Sequence, residues 1–114
     1  MKKRVVWVKC EGDAWCPFQN VNLDNVTTSG VYVIWTVGND GKIVYVGQGD
    51  VADRLRDHRN TPEITRNGKM NVTWAAVPSH ERDGVERYLA DEYSPLEGAH
   101  HPRAVPIAVN LPGE

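Results

Sequence analysis

The sequence lacks any long uninterrupted run of hydrophobic residues. A membrane-spanning helix needs roughly 20 such residues in succession, and no segment approaches that length. The basic start, residues 1–4, is followed by only four apolar residues before Lys9. That run is too short for the core of a signal peptide. We therefore expect a cytoplasmic protein that does not associate with a membrane.

Cysteine is also scarce, because the chain contains only Cys10 and Cys16. Two cysteines do not make the disulfide framework of a small secreted domain. A structural zinc site prefers four ligands and shorter spacings. His100 and His101 would complete such a set only in principle, since adjacent histidines rarely both reach one metal. We expect two partly buried thiols.

An excess of positive charge is missing too. The net charge is −2 and the isoelectric point is near 6.1, which counts against a protein that holds nucleic acid mainly by bulk charge. Residues 51–70 nevertheless contain five basic and three acidic side chains, whereas residues 79–97 contain two basic and six acidic ones. Phosphate bound on one side and a divalent cation on the other would explain this split. Solvated helix faces explain most of the individual charges.

The central feature of the chain is a predicted β-hairpin. Two apolar segments, residues 30–35 and 43–47, flank the sequence Gly-Asn-Asp-Gly at 38–41, which is a strong turn signal. With the two-residue loop Asn39-Asp40, Tyr32 lies opposite Gly47. With a four-residue loop, it lies opposite Gly49. In both registers Tyr32 and Tyr45 share one face of the hairpin, because strand side chains alternate with a period of two.

Helical patterns follow the hairpin. Asp50 is a suitable N-cap for a helix that ends before Pro62. Arg54 and His58 are four residues apart, so they share one face of this helix. A second helix is expected between an N-cap at Ser79 and Pro95, where it buries Val85, Tyr88 and Leu89.

The remaining segments complete a small α+β fold. Residues 70–77 predict the third strand of a mixed or antiparallel sheet that is flanked by the helices. Residues 4–10 indicate an edge strand, residues 17–29 an irregular lead-in, and the tail beyond Pro95 a mostly extended chain. A length of 114 residues favours a single domain, with residues 1–29 as lead-in and 30–110 as core.

The tripeptides Gly30-Val31-Tyr32 and Tyr45-Val46-Gly47 resemble the two halves of the signature of the GIY-YIG nuclease family. Valine replaces isoleucine in both halves. In that family an arginine and often a histidine follow on the first helix, then a glutamate on a later helix and an asparagine near the end. The matching residues here are Arg54, His58, Glu86 and Asn110.

This resemblance implies a metal-dependent endonuclease that hydrolyses phosphodiester bonds, with DNA as the expected substrate. Glu86 would bind Mg²⁺ or Mn²⁺, since magnesium needs only one or two carboxylates when water and phosphate complete its shell. Arg54 would bind the non-bridging phosphate oxygens through its fork of donors.

The family pattern also implies roles for the other four residues. Tyr32 would act as the base or orient the attacking water, although a free phenol has a pKa of about 10. Tyr45 would hydrogen-bond the phosphate or the water, and His58 would relay a proton or orient the phenol. Asn110 would brace Glu86 or the substrate.

The alternative is a module with the same fold that binds nucleic acid or a protein without turnover. The modest net charge favours it, whereas the complete set of six polar residues favours the nuclease. No separate DNA-binding domain fits in 114 residues. We therefore expect specificity to come from a protein partner, a dimer or the shape of the substrate.

Overall fold

The structure is a computed structural model that describes residues 2–38, 41–98 and 100–114. The strands are β1 Cys16–Pro17, β2 Ser29–Thr36, β3 Ile43–Asp50 and β4 Met70–Ala76. The helices are α1 Val51–Arg59, α2 Pro62–Thr65 and α3 Arg82–Tyr93, and a short 3₁₀ turn covers Glu11–Asp13.

The four strands form one antiparallel sheet in the order β1-β4-β2-β3, so the α+β prediction is confirmed in its coarse form. The prediction of three strands is wrong, because β1 lies in the segment expected to be the lead-in and adds a fourth strand, with Cys16 paired to Val72 of β4. A strand of two residues is too short to show any periodicity. The edge strand expected over residues 4–10 does not form, although the Val8 amide donates to the Trp74 carbonyl.

The hairpin has the register expected for a two-residue loop around its tyrosines. Tyr32 pairs with Gly47, and Tyr45 pairs with Ile34. Nearer the turn the register shifts, so that Val44 is an extra residue in β3; such a bulge bends and twists the strand. The predicted loop residues Asn39 and Asp40 lie outside the described part of the chain.

The first helix, α1, begins and ends close to its predicted bounds. The Asp50 side chain accepts a hydrogen bond from the Asp53 amide at 3.4 Å, as an N-cap does. The helix buries Val51 and Leu55 against the sheet face that also holds Tyr32. The single turn α2 was not predicted, although it begins at a proline, which is favoured in a first helical turn.

The last helix, α3, lies on the opposite face of the sheet, where Val85 and Leu89 join Val31 and Val33 in a second core. The predicted cap at Ser79 is wrong, because the helix starts after Glu81 and has no side-chain cap. Its end before Pro95 is as predicted. No helix in the described residues is long and apolar enough to cross a membrane.

Cys10 and Cys16 form a disulfide, so the prediction of two thiols is wrong. The 3₁₀ turn between them folds the chain back, with Gly12 and Asp13 at positive φ. This brings the two cysteine Cα atoms to 5.1 Å, within the usual disulfide range. In this state neither sulfur is available to zinc.

The tail beyond α3 is largely irregular and returns along the sheet. The amides of Leu96 and Glu97 donate to the carbonyls of Ile43 and Val44 on the outer edge of β3. Further on, the Ile107 amide donates to the Gly84 carbonyl on α3. The tail therefore covers part of the exposed strand edge beside the two tyrosines.

Candidate active site

The two tyrosines of the hairpin are stacked on one sheet face. Their ring centroids are 6.0 Å apart and their planes differ by 7°. Gly47 lies directly opposite Tyr32, and a Cβ atom there would overlap the Tyr32 phenol and approach Tyr45 Cε1 to 2.9 Å. The glycine of the Tyr-Val-Gly motif is thus required for the tyrosines to pack in this way.

His58 joins the tyrosines from α1. Its Nε2 atom lies 2.6 Å from the Tyr32 hydroxyl, and its ring centroid lies 4.4 Å from that of Tyr45. Burial, and then the positive charge of Arg54, lower the pKa of His58 to about 4. The imidazole is therefore neutral near pH 7, so we assign Nε2 as the acceptor and the Tyr32 hydroxyl as the donor.

Tyr32 is completely buried, with 0% of its surface exposed. Burial raises its pKa well above the usual value, and the neighbouring Tyr45 adds to the increase. Arg54 acts in the opposite direction but is outweighed by burial. In this state the phenol keeps its proton, so the lowered pKa that a simple base would need is absent.

Arg54 lies beside both phenols, and its interactions with Tyr32 and then Tyr45 raise the pKa of the guanidinium. The side chain is partly exposed, yet its Nε atom is buried without a hydrogen-bond partner in the described residues. An orphaned donor of this kind costs stability. A bound anion could satisfy it only after the side chain shifts, because the atom is closed to solvent in this conformation.

A cleft of about 350 Å³ opens at this cluster. Tyr45, Arg54 and His58 line it, together with Gly98 of the tail. Three carboxylates also line the cleft, namely Asp57, Glu63 and Glu97. Glu97 is paired with Arg66 at 2.6 Å, so the lining is mixed in charge, and phosphate would be held there by a focused contact with Arg54 rather than by bulk charge.

Glu86 projects from α3 and is buried. Its Oε2 atom is hydrogen-bonded to Nδ1 of His101 at 2.8 Å. Its charge is also near enough to Tyr32 to contribute, as the smallest cause, to the raised pKa of that phenol. Sequence reasoning considered His101 only as a partner of the cysteines. Its pairing with Glu86 depends on a tail fold that no local pattern indicates.

The donor set fits a one-carboxylate cation site. No group of three or more histidine, cysteine, aspartate or glutamate side chains comes together within the described ranges, so a cage made entirely of protein ligands is not formed there. Magnesium does not need such a cage, since one carboxylate with water and substrate phosphate is sufficient. Glu86 is a carboxylate that could serve in this way, and within the same ranges only its Oε2 atom is hydrogen-bonded.

The Asn110 side chain forms its hydrogen bonds outside this cluster. Its side-chain oxygen accepts from the Val5 amide at 2.7 Å, and its side-chain nitrogen donates to the Val5 carbonyl at 3.0 Å. The buried amide therefore fixes the N-terminal segment. Its predicted role of bracing Glu86 has no supporting hydrogen bond among the described residues.

Comparison with known proteins gave no relatives: no protein-family model, no curated protein and no solved structure matches this chain. The resemblance to the GIY-YIG family therefore stays a prediction from the sequence motifs.

Proposed function

We propose that this protein is a metal-dependent endonuclease resembling the GIY-YIG family, with DNA as substrate and Mg²⁺ or Mn²⁺ as cofactor. The observation that supports it best is the packed cluster of Tyr32, His58, Tyr45 and Arg54 at the cleft. A hydrophobic core alone would need neither a buried phenol–imidazole pair nor a guanidinium with an orphaned donor beside it.

Arg54 binds the non-bridging oxygens of the scissile phosphate in this proposal, because its planar donors match phosphate and its charge is permanent. Tyr45 is only partly buried and hydrogen-bonds the phosphate or the attacking water. The resemblance implies a 5′-phosphate and a 3′-hydroxyl as products.

Tyr32 acts with His58 rather than alone. Because the phenol keeps its proton at rest, it can accept one from water only while passing its own to His58. The 2.6 Å hydrogen bond to Nε2 provides that route. Burial and Arg54 lower the pKa of His58 to about 4, so the imidazole is a weak base at rest, and the transfer also requires the rearrangement that opens the site to DNA. Since Tyr32 is fully buried, DNA binding must displace what covers the phenol, such as Tyr45, which stacks on it, together with the Gly98 segment that packs on Tyr45.

Glu86 would hold the metal ion. The ion supplies charge stabilisation at the phosphate and at the leaving oxygen when bound. The proposal also includes a protein partner, a dimer or DNA shape as the source of specificity. A cytoplasmic location is also part of the proposal. The Cys10–Cys16 disulfide argues against this location, because disulfides are rare in the cytoplasm.

The direct test is incubation with plasmid, single-stranded and branched DNA, with Mg²⁺ or Mn²⁺ and with chelator. We expect metal-dependent cleavage by the wild type and none by Glu86→Gln at an unchanged melting temperature. Glu92→Gln is the matched control, because Glu92 is an exposed carboxylate on the same helix. Full activity of Glu86→Gln would remove the metal role.

The second candidate is a module that binds nucleic acid or a protein without cleaving it. The complete burial of Tyr32 favours it, since a buried phenol cannot meet a water molecule without rearrangement. This candidate predicts DNA or protein binding by the wild type with no metal-dependent cleavage of any of the three DNA forms.

A further inference from the structure

His101 and Glu86 form a nearly dry pair between the tail and α3. Their side chains are 10% and 8% exposed, and Nδ1 lies 2.8 Å from Oε2. A buried carboxylate needs hydrogen-bond donors to offset its loss of hydration. An ionised carboxylate only accepts hydrogen bonds, so Nδ1 carries the proton and donates it to Oε2.

The tail that carries His101 is anchored on both sides of this residue. Upstream, the Glu97 amide is bonded to the Val44 carbonyl at the edge of β3. Downstream, the Ile107 amide is bonded to the Gly84 carbonyl, two residues before Glu86 on α3. A Cβ atom at Gly84 would lie 2.6 Å from Ile107 Cγ1, so the glycine permits this close approach of the tail.

We propose that His101 is a positioning residue for the metal ligand. By donating to Oε2 it holds the Glu86 side chain in one orientation and leaves Oε1 for the divalent cation. This inference rests on the proposed function, because it assigns a partner to the same site. Hydrogen-bonded partners of metal ligands typically contribute 10–100-fold to metal affinity or activity.

The roles of the two imidazole nitrogens can be distinguished by substitution. The side-chain nitrogen of asparagine occupies nearly the position of Nδ1, whereas that of glutamine reaches toward the position of Nε2. If His101 acts by donating from Nδ1, His101→Asn keeps the function and His101→Gln loses it. If His101 instead binds the cation through Nε2, the order is reversed.

The experiment measures Mn²⁺ binding to the full chain by calorimetry, and the Mn²⁺ concentration that half-saturates DNA cleavage. We expect His101→Phe and His101→Gln to weaken Mn²⁺ binding by about 10-fold or more, with cleavage largely restored at saturating Mn²⁺. We expect His101→Asn to stay within about 3-fold of the wild type, well inside that loss. His100→Asn is the matched control, because His100 is the exposed neighbour.

Melting curves separate a folding defect from a metal effect, since a structural role would lower the melting temperature without changing the half-saturating Mn²⁺ concentration. If His101→Phe does not fold, the comparison of His101→Asn with His101→Gln tests the inference. Two results would overturn the inference while the nuclease proposal stands. One is wild-type Mn²⁺ affinity in both His101→Phe and His101→Gln. The other is an Mn²⁺ affinity that His101→Gln keeps and His101→Asn loses. A wild type that neither cleaves DNA nor binds Mn²⁺ through Glu86 overturns both.

Discussion

Replacing Tyr32 with phenylalanine tests the buried phenol–imidazole pair. The substitution keeps the ring and its stacking on Tyr45, and removes only the hydroxyl that lies 2.6 Å from His58 Nε2. Because both groups are buried, the change leaves a buried acceptor without a donor. Such a loss costs about 1–3 kcal/mol, so we expect Tyr32→Phe to lower the free energy of unfolding by that amount.

In a His58→Leu background, we expect Tyr32→Phe to have the opposite effect on the free energy of unfolding. In His58→Leu the Tyr32 hydroxyl has already lost its acceptor and is itself a buried, unpaired polar group. Removing it should then be neutral or stabilising, because replacing both partners with apolar groups avoids the desolvation cost. The difference between the two backgrounds is the coupling energy of the pair.

Chemical denaturation of the four proteins in this cycle measures the coupling, and Tyr93→Phe is the control. Tyr93 is only partly buried, and its hydroxyl makes no hydrogen bond within the described residues, so we expect a change of about 0.5 kcal/mol or less. Cleavage by Tyr32→Phe should fall by about 10²–10⁴-fold, the usual contribution of a positioned acid or base. Equal costs in both backgrounds would refute the hydrogen bond, and undiminished cleavage would refute the proton route.

Arg54→Ala should reduce cleavage by at least about 10²-fold, the scale for a lost charge donor, whereas Arg56→Ala, an exposed arginine on the same helix, should leave it unchanged. Equal rates for both variants in a plasmid assay would make Arg54 a surface residue. The pKa of His58 is about 4 in the folded protein against about 6.5 when unfolded, so the unfolded chain binds more protons between these values. Stability should therefore fall as pH drops from 6.5 toward 4, by at most about 1.4 kcal/mol per pH unit, and a wild type no steeper than His58→Leu in pH-dependent denaturation would contradict this. Gly84→Ala, normally stabilising in a helix by about 1 kcal/mol, should instead destabilise by about 1–3 kcal/mol because its Cβ would lie 2.6 Å from Ile107; a raised melting temperature would show that the tail does not pack there.

Local patterns predicted the hairpin and the first helix well. The alternation of strand residues placed Tyr32 and Tyr45 on one face, and the structure has them there in the two-residue register. The four-residue spacing of Arg54 and His58 placed both on one side of α1, and His58 does meet Tyr32. These relations depend only on the periods of strand and helix, which a single sequence displays directly.

Contacts between distant segments could not be predicted in the same way. Strand β1 has two residues, and its pairing with β4 joins Cys16 to Val72 across about half of the chain. The sequence shows Asn110 as a residue near the end of the core. Its bonds to Val5 arise only when both ends of the chain meet. His101 likewise has no periodic relation to Glu86, so its role follows from the folded tail alone.

The same tail also determines the environment of the site. Leu96 and Glu97 cover the edge of β3. Gly98 packs so closely on Tyr45 that a Cβ atom there would lie 2.5 Å from Cε2 of its ring. A free phenol could act as a base near neutral pH only if nearby positive charge lowered its pKa. In the folded chain, burial has the larger effect and raises it. A base role for this residue therefore depends on His58 as the proton acceptor. The coupling between Tyr32 and His58 therefore tests the hydrogen bond on which this mechanism depends, and cleavage by Tyr32→Phe tests the proton route itself.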